Sequence, residues 1–276
     1  MNCINFDDRF EQYTTEWVKA NAAKFGNNYD RMEEKMPEVY LQWLNHPADW
    51  LDGVSPGVYF TQFDDALMLI EWMCTYFECK VPVPDQLLER ITALGLSAEE
   101  GLFALLSEND APIDARLTAI TLLSEMESTL PMALYVEWIA NRMAEDDRAE
   151  MAAEALTAMG RAVVQPVLVA VQNASIAGKE TFLDVLCNFP GDDAIYQLAV
   201  SMFQTDQEKK AQYASLLGKL GDERAIPILA DALNEQALSY LDYIELRNAL
   251  EAVGGEAPIE RAFDGDPYYE SLRGME

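Results

Sequence analysis

A catalytic site needs groups that converge, and imidazole is the scarcest of them here. The 276-residue chain holds one histidine, His46, followed by Pro47 in an expected loop. A histidine-ligated zinc or iron centre needs more imidazoles than one. The four cysteines, Cys3, Cys74, Cys79 and Cys187, form no CxxC pair. Cys74 and Cys79 stand five apart in an apolar helical stretch, which puts them on different faces. They read as buried free thiols of a reducing compartment, not as zinc ligands or a disulfide framework. Asp264-Gly265-Asp266 has the look of a calcium loop's opening, but the remaining ligands are missing. No GxGxxG, Walker A or GxSxG motif occurs. The residues therefore assign no catalytic group, no metal site and no cofactor.

Charge narrows the partners. Nineteen Lys and Arg stand against forty-eight Asp and Glu, a formal net charge of −29. Such a field repels phosphates and anionic headgroups, so nucleic acid and membrane surfaces are poor partners, while basic proteins and peptides are drawn in. No basic segment followed by an apolar one opens the sequence, and the most apolar run, 66–74, is short and broken by Glu71. The expectation is a cytoplasmic protein.

The elements that must position any site fall into two styles. Residues 1–83 form an aromatic-rich helical region. Phe6, Phe10, Tyr13, Trp17 and Val18 recur at helical spacing, and Gly26 ends that helix. A second helical stretch runs over 29–44, with Pro37 either kinking it or starting its second half. Val39, Tyr40, Trp43 and Leu44 make its buried side. Asp52-Gly53 predicts a turn, Ser55-Pro56 a helix start, and Asp64 or Asp65 the cap of a helix through Cys79.

From Pro84 the chain repeats itself. Aligned on the residue closing each first helix (Gly95, Glu127, Gly160, Pro190, Gly221 and Gly254), the steps are 32, 33, 30, 31 and 33 residues. Eight positions before stand Leu87, Ala119, Ala152, Phe182, Tyr213 and Leu246. Four before stand Ile91, Leu123, Leu156, Leu186, Leu217 and Leu250. One before stand Leu94, Met126, Met159, Phe189, Leu220 and Val253. Offsets of −8, −4 and −1 form one helix face, and it is apolar in all six repeats. A second helix follows each turn, with Leu168, Leu198 and Leu229 expected on its buried side, and Asp222 and Pro227 placed as cap and first-turn proline. The run Glu145-Asp146-Asp147 reads as a solvated junction capping a helix that starts near Arg148. A short helix around 258–263 would complete the last pair, leaving 265–276 as a tail that either docks through Tyr268, Tyr269 and Leu272 or frays.

The segment Ala214-Ser-Leu-Leu-Gly-Lys-Leu-Gly-Asp-Glu-Arg-Ala-Ile-Pro-Ile-Leu-Ala-Asp-Ala-Leu233 resembles the HEAT repeat, closest to the bacterial variety also found in phycobilisome lyases. Glu154-Ala-Leu-Thr-Ala-Met-Gly160 and Asp114-Ala-Arg-Leu-Thr-Ala-Ile-Thr-Leu-Leu123 are similar to the same motif. The family often has a basic residue near the start of the first helix. Arg116, Lys179 and Lys210 match it, whereas Pro84, Ala149 and Tyr243 depart from it. The resemblance covers 84–264 and implies a right-handed α-solenoid of about six helix pairs, with the aromatic region as an N-terminal cap. It implies a fold far more than a function, since arrays of this type bind unrelated partners.

In such arrays the first helices line the concave side. Six positions before each closing residue stand Glu89, Thr121, Glu154, Asp184, Ser215 and Asn248, polar in every repeat, with Glu251 beside the last. Off the core stripe, this column reads as an acidic groove for a basic segment. Trp50, Tyr59 and Trp72 make a second candidate, an aromatic patch. The reading is an all-α, non-enzymatic scaffold or adaptor for a protein partner. The alternative is an enzyme or enzyme accessory with a small-molecule pocket between the aromatic region and the first repeat, lined by those three rings.

Overall fold

The computed structural model describes residues 3–26, 28–143, 145–235, 238–256 and 262–273. Among them all regular structure is helical. The chain packs as two compact units, Met1–Leu130 and Pro131–Glu276. The division falls at 130/131, so the helices over 85–125 pack with the aromatic segment.

The first unit contains α1 (Phe6–Asn21), α2 (Tyr29–Glu33), α3 (Met36–Asn45), α4 (Ala66–Cys79), α5 (Asp85–Ala93), α6 (Leu96–Leu106) and α7 (Ile113–Glu125), with short 3₁₀ turns at 49–51 and 56–62. Its starts are chemically specified. The Asn5 side chain accepts from the amides of Asp7 and Asp8, and that of Asp65 from Met68. Each such cap contributes about 1 kcal/mol. Pro37 sits in the first turn of α3, where a missing N–H costs little. Ser55 makes no side-chain cap, and a 3₁₀ helix follows it. Asp52 and Gly53 both turn through positive φ.

Phe6, Trp43 and Phe60 are buried at the centre of an aromatic cluster. Trp50 meets Phe6 edge-on at 5.2 Å, and Trp72 meets Phe63 at 4.8 Å. The segment before α1 lies along α4: the Tyr76 hydroxyl donates to the Ile4 carbonyl at 3.1 Å, and the Cys3 thiol to that of Thr75 at 3.6 Å. Burial, then the neighbouring Cys79 thiol, push Cys3 upward. Of the four thiols only Cys187 is buried; Cys3 and Cys74 are half-buried and Cys79 is exposed. The expectation of four buried thiols therefore fails, because α4 turns its Cys74 and Cys79 positions toward the surface.

The second unit contains α8 (Met132–Ala140), α9 (Asp147–Ala158), α10 (Val164–Ala170), α11 (Ile176–Leu186), α12 (Asp193–Thr205), α13 (Lys210–Leu220), α14 (Ile226–Leu233), α15 (Tyr240–Ala252) and α16 (Pro267–Arg273). Asp146, Ser175, Asp192 and Ser239 cap α9, α11, α12 and α15 with their side chains, and Asp222 caps the 3₁₀ turn before α14. Residues 257–261 lie outside the described set, and with them most of the expected short helix at 258–263. The tail helix α16 docks: Tyr240 stacks on Tyr268 at 6.2 Å and meets Tyr269 at 5.1 Å.

Two of the three apolar columns are buried throughout. All twelve residues at −8 and −4 are buried. At −1, Phe189, Leu220 and Val253 are buried and the other three half-buried. Each fully buried leucine contributes roughly 1.5–3 kcal/mol. The closing residues share a positive φ, at Gly95, Glu127, Gly160, Gly221 and Gly254. In the fourth repeat the positive φ moves one place, from Pro190, whose ring forbids it, to Gly191. The second helices differ from expectation: Leu229 is buried, but Leu168 and Leu198 are half-buried, and Val167, Val171, Ile195 and Ala199 take the interior.

One contact sets helix spacing in the second unit. A Cβ added to Gly178 would lie 2.3 Å from the Ile139 carbonyl oxygen and 3.1 Å from that of Ala140. The backbone of α11 therefore rests directly on the C-terminal end of α8, and the Ser175 amide donates to Ala140 at 2.9 Å.

Candidate partner-binding groove

Every residue of the −6 column is exposed: Glu89 and Thr121 in the first unit, Glu154, Asp184, Ser215 and Asn248 in the second. Glu251 is exposed as well, with its carboxylate 3.1 Å from Arg247. The reason is helical geometry, which sets −6 away from the buried −8 and −4 positions on the same helix.

Two of the column's carboxylates meet in one cavity. Glu154 on α9 and Asp184 on α11 line a groove of about 760 Å³, together with Arg142, Glu150, Glu180 and Lys209. Ser215 and Asn248 are not among its lining residues, so the column contributes to it over two repeats and not four.

The groove is acidic but braced by cations. Five carboxylates and two cations line it. Lys209 reaches Glu180 at 2.5 Å, and the buried Tyr213 hydroxyl donates to the same carboxylate at 3.2 Å. Arg142 bonds Glu150 at 2.6 Å and the Thr181 hydroxyl at 2.9 Å. From outside the lining, Lys219 reaches Asp184 at 2.8 Å. Of the five carboxylates, Glu145 and Glu154 make no ion pair among the described residues. Tyr213 is pushed above its ordinary range by burial and by Glu180, which keeps its proton in place for that bond.

The cations were not visible in the −6 column. Their signal is a second period: Lys209 and Glu180 lie 29 positions apart, Lys219 and Asp184 35, Arg224 and Asp193 31. Each step is about one repeat, so each pair joins neighbouring repeats. Arg161 follows the same rule, donating to the Pro190 carbonyl at 2.5 Å.

The other candidates are placed as follows. Trp50, Tyr59 and Trp72 are half-buried and pack into the Phe6, Phe60 and Phe63 cluster, Tyr59 meeting Phe63 at 5.7 Å. His46 is exposed, 6.1 Å from the Tyr13 ring, in a surface groove whose lining includes no cysteine. Asp266 spends its carboxylate on backbone, accepting from the amides of Tyr240, Tyr268 and Tyr269 at 3.0 Å each. Among the described residues no group of three or more His, Cys, Asp or Glu is placed to hold a metal ion, and no helix is long and apolar enough to cross a membrane.

No family model matches the sequence, and no curated protein is significantly similar to it.

Proposed function

We propose that this protein is a non-enzymatic adaptor, an α-solenoid of HEAT-like helix pairs that holds a basic segment of a partner protein in the groove beside Glu154 and Asp184. The single observation that carries this reading is the exposed −6 column, two of whose carboxylates converge on one groove of about 760 Å³. The HEAT-like architecture is supported by the buried −8 and −4 positions, the positive φ at the closing residues, and ion pairs spaced by about one repeat. Glu154 supplies charge that no ion pair among the described residues neutralises. Asp184, held by Lys219, supplies a fixed acceptor. A lysine or arginine entering between them gains charge-assisted hydrogen bonds without displacing the braces at Glu180 and Glu150.

The test is capture of partners from cytosolic extract by wild type and by Glu154→Lys/Asp184→Lys, each at low and high salt. The double variant should weaken the specific partner at least about tenfold, or ~1.4 kcal/mol. High salt should weaken wild-type capture in the same direction. Equal capture by both proteins would remove the groove from the account.

A further inference from the structure

The first unit carries a groove of different character, about 640 Å³, between α4 and α6. Its floor is apolar, built from Leu67, Ile70, Gly101 and Leu105. Leu67 is 61% exposed there, although it stands on the same helix as the buried Leu69 and Ile70. The two helices close up tightly beneath it: a Cβ on Gly101 would lie 2.7 Å from Ile70 Cδ1 and 3.0 Å from Leu67 Cδ2. The rim is acidic throughout. Glu71, Glu78, Glu108 and Asp110 are exposed, none is ion-paired among the described residues, and the lining contains no lysine or arginine. Burial first, then Glu108 and Glu78 on the rim, push the half-buried Cys74 thiol up to about 11. The groove beside Glu154 differs in that Arg142 and Lys209 already neutralise part of it.

We propose that this groove docks an amphipathic helix of another protein, apolar along the side that meets Leu67 and Ile70 and carrying lysines or arginines along both edges. Charge selects that occupant. A second copy brings a further −29 and sets acid against acid. A purely apolar segment would cover the floor but leave four carboxylates partly desolvated with no counter-charge. The length agrees: Leu67 to Glu78 spans roughly 16 Å, matching about three turns of a partner helix. The two grooves share no lining residue, and either can fail alone.

Cys74 makes the test direct, because any occupant of the floor covers it. The probes are two synthetic peptides of about 14 residues, each with a leucine stripe at helical spacing, one otherwise lysine-rich and the other glutamate-rich. The readout is the rate of Cys74 alkylation by N-ethylmaleimide, followed by mass spectrometry of the peptide containing it. The lysine peptide should slow alkylation by about fivefold or more at low salt, and the protection should fade near 0.5 M salt. The glutamate peptide should give no protection. Glu71→Gln/Glu108→Gln, which changes only exposed groups, should abolish the effect, while Glu154→Lys/Asp184→Lys should keep it. Absence of protection, equal protection by both peptides, or protection surviving in Glu71→Gln/Glu108→Gln would overturn the proposal. So would protection that rises with protein concentration alone, which would make a second copy the occupant.

Discussion

Glu127 stands where four other repeats have glycine, at the residue that turns the chain between helices, and it holds φ at 54°. For a residue with a Cβ the left-handed region costs roughly 1–2 kcal/mol, while glycine gives back about 0.5–1 kcal/mol in backbone entropy. The Glu127 amide donates to the Ser124 carbonyl at 2.9 Å and that of Ser128 to Leu123 at 2.9 Å, so the turn's hydrogen bonds survive substitution. Glu127→Gly should therefore stabilise the protein by about 0.5–1 kcal/mol in urea unfolding. Gly221→Ala, the converse change at φ 69°, should destabilise it by about 1 kcal/mol. If both variants unfolded like wild type, the shared positive φ would carry no energetic weight. The sequence placed Glu127 in register with four glycines, but its left-handed turn was legible only in the backbone, because a side chain there gives no local signal of φ.

At the scale of the element, one carboxylate, Asp266, ties the start of α16 to the Tyr240 amide beside the ring contacts. Hydrogen bonds from the amides of Tyr240 and Tyr269, then Tyr268, hold Asp266 below its ordinary value, so the folded protein favours the charged form. The sign follows: its contribution is complete above the ordinary carboxylate range and is lost as pH falls through the depressed folded value. Near-ultraviolet circular dichroism from the Tyr240, Tyr268 and Tyr269 cluster should hold steady down to about pH 4 and decline below it. Asp266→Ala should give the low-pH signal at neutral pH; a tyrosine signal unchanged in that variant would show that the ring contacts alone dock the helix. Helix starts such as Asp65, Asp146 and Asp222 were legible because a cap is a local bargain between a side chain and the next turn. The inner face of α10 was not. Val163, Val164, Val167, Leu168, Val169 and Val171 are apolar all round, so no contrast marks which of them points inward. The Lys209–Glu180 and Lys219–Asp184 pairs were hidden for another reason, since they join residues of adjacent repeats that only packing brings together.

For the molecule as a whole the governing quantity is −29. Repulsion among surface carboxylates opposes compaction, and screening becomes strong once the Debye length falls to about 10 Å near 0.1 M salt. Raising sodium chloride from about 0.02 to 0.5 M should thus raise Tm by several degrees while weakening capture of a basic partner, two responses of opposite sign from one field. A Tm that falls with salt would mean that the bridges between neighbouring repeats outweigh the net repulsion. Clearance matters alongside charge. Where Gly178 sits on the Ile139 and Ala140 carbonyls there is room for a hydrogen atom and nothing larger. A methyl group at that joint would act as a shim, prising α11 from α8 and carrying Asp184 and Glu180 away from Glu154. The aperture offered to a visitor is thus fixed by a side chain that is missing two residues before Glu180, one of the acids that would greet it.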